Sequence, residues 1–164
     1  MKSLKHIIIL LTVSLVFVSC WGTAPQYATL SKKPDLSKYR YVYVMPTSEK
    51  TLSVDTYGNK YGMYRSTKSK SVNPSDIIAG SFMKHGFARL PKICEKLQAQ
   101  TIVVDYVESG RISYGLDYSI EVTIQLLDAL TGDVICISTA EGMGGTETDD
   151  VRRAILKCMN AIFY

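Results

Sequence analysis

The chain has 164 residues, 46% hydrophobic and 21% charged, which is a globular composition and excludes a disordered or collagen-like chain. Its 19 basic and 15 acidic residues give a formal charge of +4, and setting aside Lys2 and Lys5 of the N-terminal segment leaves 17 against 15, too even for a nucleic-acid partner. Four cysteines and two histidines without close-spaced pairs argue against a zinc site.

Lys2 and Lys5 precede an apolar run over residues 7–18, and small Ser19 comes directly before Cys20, the layout of a secretory signal. That run falls short of the roughly 20 residues a helix needs to cross a bilayer, so it reads as a cleaved segment. Phe17-Val18-Ser19-Cys20 resembles the lipobox of bacterial lipoproteins, with Phe17 where leucine is usual. The resemblance implies that Cys20 becomes the lipid-modified first residue of the mature chain. Trp21, in place of aspartate, implies sorting to the outer membrane. An ordinary secretory signal with an incidental cysteine is the alternative reading. Acyl chains at about 0.8 kcal/mol per buried methylene would hold such a protein on a bilayer. The expected division is a signal peptide over 1–19, the lipid attachment site and a flexible tether over 20–38, and one domain over 39–164. The tether is polar and carries Pro25 and Pro34.

Residues 39–45 are β-branched and aromatic and end at Pro46, which predicts a strand. Residues 51–57 and 60–66 flank Gly58-Asn59, a dipeptide suited to a tight hairpin turn. This hairpin carries Tyr57, Lys60, Tyr61, Tyr64 and Arg65, with no acid between 58 and 72, and forms a first candidate contact surface for lipid, glycan or protein. Its plain alternative is a solvated hairpin. Asn73-Pro74-Ser75-Asp76 predicts a helix start, Ile78 and Phe82 share one face, and Gly86 closes the helix beside His85, a favourable dipole partner. A short strand over 87–90, a short helix over 91–99 and a strand over 101–107 follow. Tyr118, Ile120, Val122, Ile124 and Leu126 then alternate with Ser119, Glu121, Thr123 and Gln125, predicting a half-buried strand. Its polar face, with Glu121, Thr123 and Gln125, is the second candidate contact surface. The segment 127–133, with Thr131-Gly132-Asp133, turns the chain into an antiparallel partner over 134–140. Thr146 and Asp149 resemble a capping box before an amphipathic helix marked by Val151, Ile155 and Met159. The predicted class is α/β (α+β), with a mixed, mostly antiparallel sheet and helices packed mainly on one face.

Chemistry-bearing patterns are sparse. Gly142-Met143-Gly144-Gly145 lacks the P-loop lysine and the dinucleotide spacing, and Glu147, Asp149 and Asp150 beside it would repel a phosphate, so it reads as a connector. Those three acids are expected to complement the helix dipole; no twelve-residue calcium loop is present. His85 has no nucleophile signature nearby. Asp105 and Glu121 are candidates to meet across adjacent strands, though solvated acids are the expectation. We assign no catalytic residue, no cofactor and no metal. Cys94, Cys136 and Cys158 allow at most one disulfide and are expected as buried thiols.

Residues 39–163 resemble the small α/β domains of envelope lipoproteins. The likeness is carried by the helix ending in Gly86-Phe87, the strand Thr101-Ile102-Val103-Val104-Asp105-Tyr106, and the turn from Leu126 through Asp128, Thr131 and Gly132 to Val134. That turn is similar to the hairpin of the curli-secretion lipoprotein and of the penicillin-binding-protein activator lipoproteins. The resemblance implies a fold rather than a task, and the short polar stretch 51–66 is unlike the membrane-inserting hairpins of a secretion pore. The expected function is a lipid-anchored outer-membrane protein, facing the periplasm, that binds another envelope protein or a glycan without catalysis. The alternatives are a glycan-acting enzyme or small-ligand carrier of the periplasm, or a subunit of a secretion complex.

Overall fold

The computed structural model describes residues 27–47, 58–59, 62–63, 72–114 and 117–164. The alternation of Ile120, Val122, Ile124 and Leu126 sets its layers: all four are buried, on a strand whose intervening side chains stay partly exposed or hydrogen-bonded. That strand is β7 (Asp117–Asp128), in a six-stranded sheet with β1 (Thr29–Leu30), β2 (Tyr41–Val44), β5 (Ala88–Arg89), β6 (Thr101–Tyr114) and β8 (Val134–Gly142). The order is β1-β8-β7-β6-β2-β5; β2 runs parallel to β5 and β6, and the remaining pairs are antiparallel. A separate two-stranded ladder joins β3 (Gly58–Asn59) to β4 (Gly62–Met63). Two helices, α1 (Pro74–Lys84) and α2 (Glu147–Phe163), pack on one face of the large sheet and on each other. The fold is therefore the α/β class expected, with a mixed, mostly antiparallel sheet.

Between the layers Ile78 and Phe82 of α1 and Val151, Ile155, Cys158 and Met159 of α2 meet Val42, Val44, Ile102, Val104 and the apolar row of β7. Each fully buried Val, Ile or Phe contributes about 1.5–3 kcal/mol relative to exposure, which holds the helices to this face. Phe82 adds edge-to-face contacts with Phe87 and Phe163, both with ring centroids 5.2 Å apart.

The helix boundaries follow the caps. Asn73 Oδ1 accepts the Ser75 amide at 3.0 Å, Pro74 needs no hydrogen-bond partner in the first turn, and Gly86 leaves the helix at φ +86°. Thr146 Oγ1 accepts the Asp149 amide at 3.2 Å and donates to Asp149 Oδ2 at 3.1 Å, starting α2.

Several expectations are corrected. Within the expected tether, Thr29–Leu30 pairs with Thr139 and Ser138 at the sheet edge, and Leu36 packs on the core. Polar composition hid a chain that needs only two ladder residues and one leucine to dock. Gly58-Asn59 lies in a ladder, with Asn59 opposite Gly62, and so is part of a strand rather than the turn. The short helix over 91–99 is a 3-10 segment, Glu95–Gln100, and Leu127 and Asp128 belong to β7 rather than to the turn. The strand over 101–107 continues to Tyr114 because a bulge at Ser109, followed by Gly110 at φ +128°, absorbs the residues that looked like a break. Cys94 is exposed, whereas Cys136 and Cys158 are buried. Among the described residues no helix is long and apolar enough to cross a membrane.

Candidate functional site

A strand that sends one set of side chains to the helices must send the other set to the opposite face. Registers therefore define that second face. Along β7 it carries Ser119, Glu121, Thr123, Gln125 and Leu127; along β8, Ile137, Thr139 and Glu141; along β6, Val103, Asp105 and Val107; and along β2, Tyr41 and Tyr43. Among the described residues no helix covers it.

The face is graded. At one end, Tyr43, Val103, Leu127 and Val134 stand side by side across four strands, and Val134 is exposed. Two rungs on, Val107, Thr123, Thr139 and Thr29 form a row, in which the Thr123 and Thr139 hydroxyls are 2.9 Å apart. Beyond it Glu121 faces Glu141 directly across the ladder. Like charges in that position are unfavourable unless satisfied. Glu141 is satisfied: Tyr114 Oη donates to its Oε2 at 2.6 Å and Ser119 Oγ at 2.8 Å. The hydrogen bond to Glu141, followed by burial, raises the Tyr114 pKa, keeping the phenol as a donor. The result is a surface with an apolar end, a hydroxyl row and an acidic end.

The sequence-predicted residues distribute as follows. Glu121, Thr123 and Gln125 share this face. Cys20, Tyr57, Lys60, Tyr61, Tyr64 and Arg65 lie outside the described residues. Asp105 pairs with Gln125 and not with Glu121, which sits opposite Gly110, so the two acids are not brought together. Instead Glu121 meets Glu141, a residue that alternation along β8 identifies once the register is known. Tyr114 was hidden by the apparent break at Gly110. His85 caps α1, its Nδ1 2.9 Å from the Ser81 carbonyl and its ring stacked on Phe163 at 3.7 Å between centroids. Glu147 is paired with Arg111 at 2.6 Å, Asp149 exchanges hydrogen bonds with the Thr146 cap of α2, and Asp150 is buried in the first turn. Among the described residues no three His, Cys, Asp or Glu side chains gather in a metal-holding group.

This architecture is that of a small α/β domain with one helix-covered sheet face. It is similar in fold to the PelC dodecamer from Paraburkholderia phytofirmans, at 19% identity and a TM-score of 0.50 over 82% of this chain and 96% of that one. A point variant of the same PelC aligns at 16% identity and a TM-score of 0.49, over 82% and 95%. No family model matches the chain, and no curated protein matches it in sequence.

Proposed function

We propose that the protein is a lipid-anchored outer-membrane protein that works by binding, not catalysis, and uses the uncovered sheet face as its contact surface. The single observation that carries the binding role is the graded face itself, with an apolar row of Tyr43, Val103, Leu127 and Val134 beside hydroxyls and carboxylates. Such a mixture suits recognition of a protein or glycan surface, because the apolar row supplies area and the polar rows supply direction. The lipid anchor rests on the run ending in Cys20, and the hairpin resemblance to envelope lipoproteins supports the same compartment. Tethering to a bilayer raises the local concentration beside a membrane-bound partner and strengthens weak contacts.

The test uses natively acylated protein in its own envelope, photo-crosslinked from position 107 or 134, both exposed on this face. We expect a discrete crosslinked species that Val107→Lys and Val134→Lys abolish while melting temperatures hold. Crosslinking that survives both substitutions would overturn the reading.

A second reading is a homo-oligomeric assembly subunit, since the fold neighbour PelC is described as a dodecamer. In that case the crosslinked species is a multimer of this chain alone, and sedimentation in detergent gives a mass several times that of the monomer.

A further inference from the structure

We propose a binding site for a small amphiphilic anion, a flat or short-chain apolar body bearing one carboxylate or phosphate, in a cleft at the C-terminal ends of α1 and α2. The cleft encloses about 370 Å³, at the small end of the roughly 300–1,000 Å³ of small-ligand pockets. It lies on the helix side of the sheet, away from the proposed contact face. Leu36, Phe87 and Phe163 give it an apolar floor, and Lys33 and Arg40 give it a basic rim. Among the described residues no carboxylate side chain lines it.

Among the described residues, Lys33 and Arg40 are placed without acidic partners. Arg40 Nη1 donates to the carbonyls of Ser37 and Tyr39 at 2.8 and 3.0 Å, both in its own segment. Those bonds hold the guanidinium in place and leave its remaining N–H groups for a ligand, in the fork that suits a carboxylate. Lys33 Nζ reaches the Ala161 carbonyl at 3.4 Å, a long contact. His85 spends its Nδ1 proton on the Ser81 carbonyl, because a carbonyl only accepts, so the ring serves as a flat wall of the cleft and the charge for an anion comes from Arg40 and Lys33. The acids nearby are otherwise engaged. Asp35 accepts the Ser37 amide at 3.0 Å, and Asp128 takes Lys38 and Tyr39.

Neutralising the negative ends of the two helices is the competing role for these cations. It accounts for Lys33, which reaches the Ala161 carbonyl. It does not account for Arg40, whose bonds go to non-helical carbonyls. The aromatic floor also has no part in dipole compensation, whereas it suits an apolar ligand body beneath a charged head.

The experiment titrates 2-naphthoate, and separately its uncharged amide, into the full chain held in phosphatidylcholine nanodiscs, followed by calorimetry. Empty nanodiscs supply the blank for partition into lipid. We expect one saturable site for the carboxylate, with the amide at least tenfold weaker. Arg40→Gln should weaken the carboxylate at least tenfold and leave the amide unchanged, and Lys92→Gln should change neither. The Arg40 backbone bonds, its amide to Gln100 and its carbonyl to Ala88, are independent of the side chain, so the variant keeps its strand pairing. Should Arg40→Gln nonetheless fail to fold, the carboxylate-to-amide ratio on the unaltered chain and on Lys33→Gln decides. Equal binding of acid and amide, an unaltered affinity in the folded Arg40→Gln chain, or no saturable site up to millimolar ligand overturns the proposal.

Discussion

Tyr39 donates a 2.7 Å hydrogen bond to Asp128 Oδ2 across 89 residues of sequence, and this tie fastens the start of β2 to the turn between β7 and β8. Asp128 is 6% exposed, and its other oxygen accepts the amides of Leu130 and Thr131 at 2.9 and 3.3 Å. One side chain thereby shapes the hairpin and anchors the segment that leads into the sheet.

Replacing Asp128 by alanine leaves the buried Tyr39 hydroxyl without its acceptor, and should cost about 1–3 kcal/mol at neutral pH. The Lys38 ammonium, then the Tyr39 hydroxyl and the two amides, holds the Asp128 carboxyl well below the ordinary carboxylate value of 3.8. A carboxyl with a depressed folded value stabilises the fold above 3.8, and that contribution is lost as pH falls through the folded value. Urea melts of the unaltered chain and of Asp128→Asn should therefore differ most at neutral pH and converge on strong acidification. A difference that does not change with pH would remove Asp128 from this role.

Asp150 has the opposite sign. It is 1% exposed, and Oδ1 has no hydrogen-bond partner among the described residues. Burial raises its pKa, the Gly144 amide acting the other way, so the folded state binds the proton more tightly than the unfolded chain. Its stabilising protonated form is fully present below 3.8 and is lost as pH rises through the raised value, and Oδ1 stays buried without a partner. Asp150→Asn should raise the melting temperature at pH 7 by roughly 2–4 °C, for a gain on the order of 1 kcal/mol. The gain should fade toward pH 4; thermal melts across that range check it.

Much of the fold was legible because local chemistry agreed with tertiary packing. The Asn73 cap, the alternation from Ile120 to Leu126 and the Thr146 box each state a local preference that the core then uses. What stayed hidden depended on partners distant in sequence. Leu36 shows no periodicity, and only the packed core gives it a place; Ser109 and Gly110 look like a break until a register shift lets β6 continue past them. The candidate face divides in the same way. Glu121, Thr123 and Gln125 follow from a period of two, whereas the opposition of Glu121 to Glu141 depends on a pairing no single strand encodes. The basic cleft draws Lys33, Arg40 and His85 from segments up to 52 positions apart, so spacing carried no trace of it.

Gly142 and Gly144 let the end of β8 pass against the first turns of α2. A β-carbon on Gly142 would lie 1.8 Å from the Asp150 carbonyl oxygen and 2.7 Å from the Ala154 nitrogen, both backbone atoms that cannot step aside. On Gly144 it would lie 2.7 Å from Asp149 Cβ. Gly142→Ala should cost about 3 kcal/mol or more by forcing β8 and α2 apart. Gly145, with nothing within 4 Å and no positive φ, is the control, and Gly145→Ala should stay within about 0.5 kcal/mol of the unaltered chain. Denaturant midpoints compare the three directly, and equal costs at Gly142 and Gly145 would contradict the close approach.

The three thiols of the described domain should separate by burial. Cys94 is exposed, while Cys136 and Cys158 are buried, and burial pushes both thiols up to about 11. Alkylation proceeds through the thiolate, so the raised pKa and the closed packing act in the same direction. Cys158 is further held by contacts from its sulfur to the carbonyls of Ser138 and Val122, at 3.5 and 3.7 Å. Of these three, iodoacetamide at pH 8 should mark Cys94 alone in the native protein and all of them after unfolding in urea, as read by peptide mass spectrometry. The rate at Cys158 should then report opening of the α2 interface. Native labelling of Cys158 as fast as that of Cys94 would mean that this interface is not closed in solution.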